Sequence, residues 1–245
     1  MNNGISFLID KKTKGQWESM KLPIPLGKDE SGEFHLEDLT QIGNIIIGGS
    51  TGSGKSIFNH NLICSLILKY GSSQLKFFLA DPKIVELPYF YNKLPHVLEK
   101  VYTKPEDIIN QLFSLKREIL NKKYPYLAIV IDTFSDLMAY DSEKFESVIS
   151  DLSNLNEMGV YMAICDSRTG KDVFSPKIMR CFPTRIAFNT CDKESSYLLI
   201  KQSGAETLKG AGDMLFLPKK SDVPVRLQGP YISEEEVQDV IKRCS

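Results

Sequence analysis

Between Gly48 and Ser56 the chain reads GGSTGSGKS, so Gly49 is followed after four residues by Gly54, Lys55 and Ser56. Glycines at that spacing let successive backbone N–H groups curl inward around an anion, and a helix starting near Lys55 adds its positive dipole end. In that chemistry Gly49, Ser50, Thr51, Gly52, Ser53 and Gly54 wrap the phosphates of a nucleotide, Lys55 reaches the β- and γ-phosphates, and Ser56 holds Mg²⁺ through its hydroxyl. A second acid is needed at the end of a neighbouring strand to position the metal. Asp132, closing the apolar run Leu127–Ile131, has that place, so the expected cofactors are ATP and Mg²⁺. Hydrolysis also needs a group that polarises the attacking water. The next residue is Thr133, whose hydroxyl orients water but accepts no proton at neutral pH, so general-base help of the order of 10² to 10⁴ in rate is missing. Arg168, in Cys165-Asp166-Ser167-Arg168, is a candidate phosphate or DNA ligand, or else an exposed arginine at a strand end.

These groups need strands to carry them. Asn44–Ile47 reads as the buried strand before the glycine loop, and Leu62, Ile63, Leu66 and Ile67 as the buried face of the helix after it. Leu75–Ala80, His96–Tyr102, Leu127–Ile131, Val160–Cys165 and Thr184–Phe188 read as further strands, with helices opening at Pro105, about Ser142 and Lys193. The uninterrupted apolar run at Leu127–Ile131 marks a strand covered on both faces. Asp213–Leu217 and Val223–Leu227 read as a closing pair, and Ser233-Glu234-Glu235-Glu236 as the capped, acidic start of a last helix. Strands alternating with helices predict an α/β fold with a mainly parallel sheet flanked by helices. Residues 1–40 read as a small N-terminal β extension, with extended pieces at Ile5–Ile9 and Lys21–Leu26, packed on a P-loop domain spanning residues 41–245.

The 30 basic and 31 acidic side chains give a net charge of −1, which neither announces nucleic acid nor excludes a ring that needs only a few cations in its lumen. The five cysteines show no CxxC spacing and read as reduced, structural thiols. No signal peptide is evident and no apolar stretch approaches about 18 residues, so a cytoplasmic location without direct membrane contact is expected, any tether lying outside this chain.

Several stretches together resemble the FtsK/SpoIIIE family of DNA translocases: Leu26-Gly27-Lys28-Asp29, the glycine loop, Asp81-Pro82-Lys83 with Glu86-Leu87, Leu94-Pro95-His96, Ile131-Asp132, Pro183–Phe188 as PTRIAF, Gly204-Ala205-Glu206, and Gly210–Leu215 as GAGDML. The resemblance implies a RecA-like P-loop NTPase that forms hexameric rings, as a homo-oligomer or a hetero-ring, around double-stranded DNA and pumps it with ATP in chromosome segregation. It puts Lys55, Ser56 and Asp132 on the nucleotide site, and Arg168 and Lys193 near the DNA-facing loops, with Lys171 and Arg180 as local additions. The departures are equally specific. Thr133 stands where the family has its catalytic glutamate, Ser167 where it has the glutamine that senses the γ-phosphate, Asn156 where it has an arginine reaching into the neighbouring subunit, and Tyr197 at a basic position. An arginine finger alone is worth about 10³ to 10⁵ in turnover. The expectation is a nucleotide-binding DNA motor with crippled hydrolysis. The alternatives are a nucleotide-binding ring subunit that no longer turns over, and a conjugation or type VII secretion coupling ATPase.

Overall fold

A computed structural model describes residues 11–121 and 123–244. Its ten strands form one sheet in the order β2-β1-β10-β9-β8-β3-β7-β6-β4-β5. The parallel part holds β3 (Ile45–Gly48), β4 (Leu75–Ala80), β5 (Val97–Tyr102), β6 (Tyr126–Asp132), β7 (Val160–Asp166) and β8 (Thr184–Phe188). The helices that cross between them are α3 (Lys55–Lys69), α4 (Leu87–Tyr91), α5 (Pro105–Glu118), α6 (Ser135–Ser153) and α7 (Pro176–Cys181), and α8 (Lys193–Ile200) follows β8. Beyond β8 the sheet turns antiparallel through β9 (Asp213–Leu217), β10 (Val225–Gln228), β1 (Pro23–Lys28) and β2 (Phe34–Asp38). The remaining helices are α1 (Lys11–Ser19), α2 (Leu39–Ile42) and α9 (Glu234–Cys244).

Alternation along the strands divides the core into two layers. Ile45 and Ile47 face the layer of α3, α4 and α9, with Phe58, Leu62, Leu66, Tyr91 and Val237. Ile46 faces the layer of α5 to α8, with Ile108, Leu112, Phe145, Ile149 and Leu199. Each such side chain, fully buried, contributes about 1.5–3 kcal/mol, and this two-sided burial holds the parallel strand ends in fixed positions.

The extended piece read at Ile5–Ile9 lies outside the described residues. Within the N-terminal stretch, Lys11–Ser19 is a helix rather than an extended or turn segment. The hairpin follows: β1 pairs with β2 and, through Lys28↔Gln228, with β10. The helix read from Ser142 begins earlier, at Ser135, and breaks at Asp141 (φ −158°, ψ 85°). Asp141 accepts from the Lys144 N–H at 3.0 Å, so it caps a second helical segment where the sequence suggested a start. That helix gives way at Asn154, before a short 3₁₀ turn at Asn156–Met158. At the chain's end Ser233 and Glu236 exchange side-chain-to-backbone hydrogen bonds of 3.2 and 2.9 Å, a capping box that starts α9.

Candidate functional site

Strand order brings the chemistry together. β7 lies between β3 and β6, with Gly48 level with Asp166 and Asp132 level with Cys165. The glycine loop, Asp132 and the segment after Asp166 therefore leave the same carboxyl edge of the sheet, where doubly wound folds bind ligands.

The loop from Gly49 to Gly54 is shaped by backbone that other residues rarely adopt, with φ of 153°, 76° and 125° at Gly49, Gly52 and Gly54. A Cβ on Gly54 would stand 2.9 Å from the Gly212 nitrogen, and one on Gly49 2.7 Å from the Phe188 Cβ. Ser50 N–H donates to the Asn189 carbonyl at 2.7 Å, and Gly212 N–H to the Ser53 carbonyl at 2.9 Å. The loop is thus clamped from outside, while no side chain caps the first turn of α3. The Ser53 hydroxyl is buried without a hydrogen-bond partner. An uncapped helix start and an orphaned hydroxyl facing a glycine loop fit a nucleotide's phosphates. Lys55 is folded back on the loop, its Nζ donating to the Gly49 and Ser50 carbonyls at 2.8 and 2.9 Å. Burial lowers its pKa, against the pull of Cys165 and of Asp132.

Asp132 is 8 % exposed. Burial raises its pKa, partly offset by a hydrogen bond from the Cys165 thiol, whose Sγ lies 2.9 Å from Oδ1. The nearby charges of Asp81 and Glu86 raise it further. Asp81, at the tip of β4, is fully buried. Its Oδ2 accepts from the N–H groups of Val85, Glu86 and Leu87, and its Oδ1 has no hydrogen-bond partner. The loop it braces sets Glu86 2.7 Å from His60 Nε2 on α3 and within hydrogen-bonding reach of the Ser56 hydroxyl. Ser56 and Asp132 are the oxygen ligands this edge of the sheet offers a Mg²⁺ ion, and among the described residues no group of three or more acidic, histidine or cysteine side chains is gathered to hold one.

Around this loop, the residues expected to act in hydrolysis are held differently. Thr133 sits at φ 61°, left-handed backbone that is costly for a β-branched residue. Its N–H donates to the Cys165 carbonyl at 2.9 Å, and its hydroxyl lies 3.5 Å from Asp132 Oδ1. Asp166 is fully buried and spent on backbone, accepting from the N–H groups of Ser135 at 2.5 Å and Arg168 at 2.7 Å. Asn156 lies at the opposite edge of the sheet, bonded to Asn44 Oδ1 and the Val160 carbonyl of its own chain at 3.2 Å each.

The four cations read from sequence are not brought together. Arg168 pairs with Asp172 at 2.8 Å, and Lys171 with Glu194 at 3.1 Å. Lys193 is exposed at the first position of α8. Arg180 lies at the far end of the sheet, in a cavity with Arg185 and Lys201.

Sequence reasoning missed a cavity of about 560 Å³ beside the glycine loop. It is lined by Gly52, Gly54, Phe58, Phe188, Gly212, Gln228 and Tyr231 among others, an apolar slot adjoining a phosphate cradle. The signal for it was the GAGDML stretch. Gly210, Ala211 and Gly212 have φ of 77°, 50° and 93°, which lets the chain run flat against the glycine loop. Gly27, at φ 139°, is equally constrained: a Cβ there would stand 2.1 Å from the Gln228 carbonyl oxygen.

The FtsK/SpoIIIE family model matches residues 9–122, which include the cradle and the Asp81 loop. The DNA translocase FtsK of Caldanaerobacter subterraneus subsp. tengcongensis is 35% identical over 257 residues, covering 96% of this chain and 36% of that protein. The chain belongs to the FtsK/SpoIIIE family. The DNA translocase SpoIIIE of Bacillus subtilis is 33% identical over 253 residues, covering 90% of this chain and 32% of its own length. The chain thus spans about a third of the curated family members it matches. In fold it is similar to the cytoplasmic domain of the type VII secretion ATPase EccC of Thermomonospora curvata, with a TM-score of 0.78 at 20% identity over 91% of this chain and 31% of the other. The conjugation coupling protein TcpA of pCW3 gives a TM-score of 0.75 at 18% identity over 96% of this chain and 73% of the other. These likenesses establish the RecA-like P-loop ATPase fold. Among the described residues no helix is long and apolar enough to cross a membrane.

Proposed function

We propose that this chain is the motor core of an ATP-driven double-stranded DNA translocase, assembled as a ring around the duplex and weakened in hydrolysis. The observation that carries the nucleotide half is the clamped glycine loop with its uncapped helix start and orphaned Ser53 hydroxyl. Gly49, Ser50, Thr51, Gly52, Ser53 and Gly54 would wrap the phosphates, and Lys55, now on the Gly49 and Ser50 carbonyls, would hold the γ-phosphate. The apolar slot at Phe58 and Phe188 would take the base. Mg²⁺, held by Ser56 and Asp132, would neutralise phosphate charge. For the DNA half, the support is the family's curated translocases; Arg168, Lys171, Arg180 and Lys193, which the fold does not gather in one place, are the candidate backbone contacts.

Weak hydrolysis follows from Thr133, which has no carboxylate to take a water's proton, and from Ser167 and Asn156. ATP turnover with and without duplex DNA, on protein of known assembly state, tests the whole reading. The expected result is tight Mg-ATP binding with slow, DNA-stimulated turnover. Turnover of tens per second, within the usual enzyme range, would contradict the weakened chemistry. Tight ATP binding without any turnover or DNA binding would favour the second reading, a ring subunit that uses nucleotide only as a structural or regulatory ligand.

A further inference from the structure

Asp132 and Cys165 are paired across β6 and β7 at the carboxyl ends of the two strands. Residues level with each other on neighbouring strands project from the same face of a sheet, and Cys165 lies in the layer that α3 covers. The two side chains meet there, the thiol donating to the carboxylate with Sγ 2.9 Å from Oδ1. Asn59 follows Ser56 by three residues on α3, so the two stand on one side of that helix. Its Nδ2 donates to the same sulfur at 3.3 Å. Cys165 and Asn59 are both fully buried.

Two oxygens at this spot are buried without a hydrogen-bond partner, Asn59 Oδ1 and Asp81 Oδ1. The first belongs to the amide that is already aimed at the Cys165 sulfur. The second belongs to a carboxylate whose charge bears on Asp132, as does that of Glu86. Buried carboxylates within reach of one another call for a cation or a proton. Lys55 is the nearby cation, and its Nζ is engaged by the Gly49 and Ser50 carbonyls. A divalent ion stands about 2.3 Å from a thiolate sulfur and about 2.1 Å from a carboxylate oxygen, so ligand atoms 2.9 Å apart would meet it at an angle of about 80°. That is close to the right angle of an octahedral site. Mg²⁺, a hard ion, takes oxygen and leaves a thiol to its proton, whereas a thiolate selects softer ions.

We propose that Cys165 is a direct ligand at the metal position of the nucleotide site, which makes that position prefer a thiophilic divalent ion to Mg²⁺. The proposal rests on the nucleotide-binding reading and names the class of ion that the site takes. On binding, the S–H bond gives way to a metal–sulfur bond and the proton passes to solvent, with no electron transferred. Asp132 supplies oxygen on one side of the sulfur, and Ser56 and the phosphate oxygens of the nucleotide complete the shell, so no larger cluster of protein ligands is needed. Asn59 Nδ2 then donates to the bound sulfur and fixes its direction.

The test uses the full chain with a non-hydrolysable ATP analogue, in wild type, C165S and C165A, and reads the absorption of bound Co²⁺. Serine keeps a hydroxyl donor for Asp132 but carries no soft atom, so C165S separates ligation from positioning and decides the question if C165A folds poorly. Wild type with Co²⁺ and the analogue should show a sulfur-to-cobalt charge-transfer band in the near ultraviolet, and both variants should lose it. The preference for Cd²⁺ over Mg²⁺ in analogue affinity should fall in C165S by at least about tenfold, the loss that removing even a supporting residue of a metal site brings. A second thiol adjoins the glycine loop: Cys191 is exposed, with its Sγ 3.5 Å from the Ser50 hydroxyl oxygen. C191S should keep the band. A band lost in C191S and kept in C165S would move the sulfur ligand to Cys191 and overturn the assignment. An oxygen-only Co²⁺ spectrum, or an unchanged Cd²⁺ preference in C165S, would overturn it as well, while binding of the analogue with Mg²⁺ would leave the nucleotide reading standing. If wild type binds the analogue with none of these ions, the nucleotide reading falls and this assignment with it.

Discussion

Two neighbouring parts of one sheet edge have fared differently. The cradle from Gly49 to Ser56 is made mostly of backbone, fixed by glycines whose φ values exclude other residues, by a hydrogen bond to the Asn189 carbonyl and by one from the Gly212 N–H. One strand over, at the tips of β6 and β7, the work falls to side chains. There a thiol occupies Asp132, a threonine stands at φ 61°, and Asp166 is absorbed by the backbone of Ser135 and Arg168. The difference teaches that holding a nucleotide and firing it are separable. Holding is written into chain conformation, which one substitution at a loop tip leaves intact, whereas firing depends on single functional groups that one substitution removes.

The comparison can be broken most sharply at Lys55. Lys55→Ala should weaken Mg-ATP binding between about 10- and 100-fold, since a charge-assisted hydrogen bond contributes about 1.5–3 kcal/mol. Unchanged affinity in an equilibrium titration with a fluorescent ATP analogue would mean the cradle is not where phosphate sits. Gly54→Ala tests whether the cradle is truly backbone-made. At φ 125° and 2.9 Å from the Gly212 nitrogen, the added methyl should cost about 1–3 kcal/mol in urea unfolding. A neutral result would show that the loop shifts freely.

On the other side, Thr133→Glu should raise ATP turnover by less than about tenfold, short of the 10² to 10⁴ a general base supplies, because Ser167 and Asn156 are unchanged. A hundredfold gain in a coupled ATPase assay would place the whole defect at Thr133. Thr133→Gly relieves the left-handed strain and should stabilise the fold by about 1 kcal/mol while leaving ATP affinity alone. Denaturant midpoints no higher than wild type would remove strain from the account of that site.

The smallest effect belongs to a region outside both. Burial acts against ionisation of Asp38, but hydrogen bonds from the N–H groups of Leu22, Lys21 and Thr40 outweigh it and hold its pKa below the ordinary value. Its stabilisation is therefore present above the usual carboxylate range, about pH 4, and is lost as pH falls through its lower folded pKa. Asp38→Asn should lower stability near neutrality and flatten the acid limb of the curve. An unchanged acid limb would show that the bonds at the entrance to β3 do not depend on the charge.

Local sequence sufficed for much of this molecule. The glycine spacing, the apolar run ending at Asp132 and the missing glutamate at Thr133 were legible because each is a rule about neighbours: φ freedom, two-faced burial, presence of a carboxylate. The helix start near Ser142 was legible for the same reason, with Asp141 capping the segment. Extending that helix back to Ser135 required Asp166, thirty-one positions away, to hold its first N–H. Tertiary structure alone decided that β7 separates the loop strand from the Asp132 strand, that Ala211 and Gly212 line the cavity beside the glycine loop, and that Glu86 meets Ser56 and His60. It alone sorted the cations, pairing Arg168 and Lys171 while leaving Arg180 beside Arg185 and Lys201. Charges count by distance, and the distance between residues far apart in sequence is set only when the sheet is assembled.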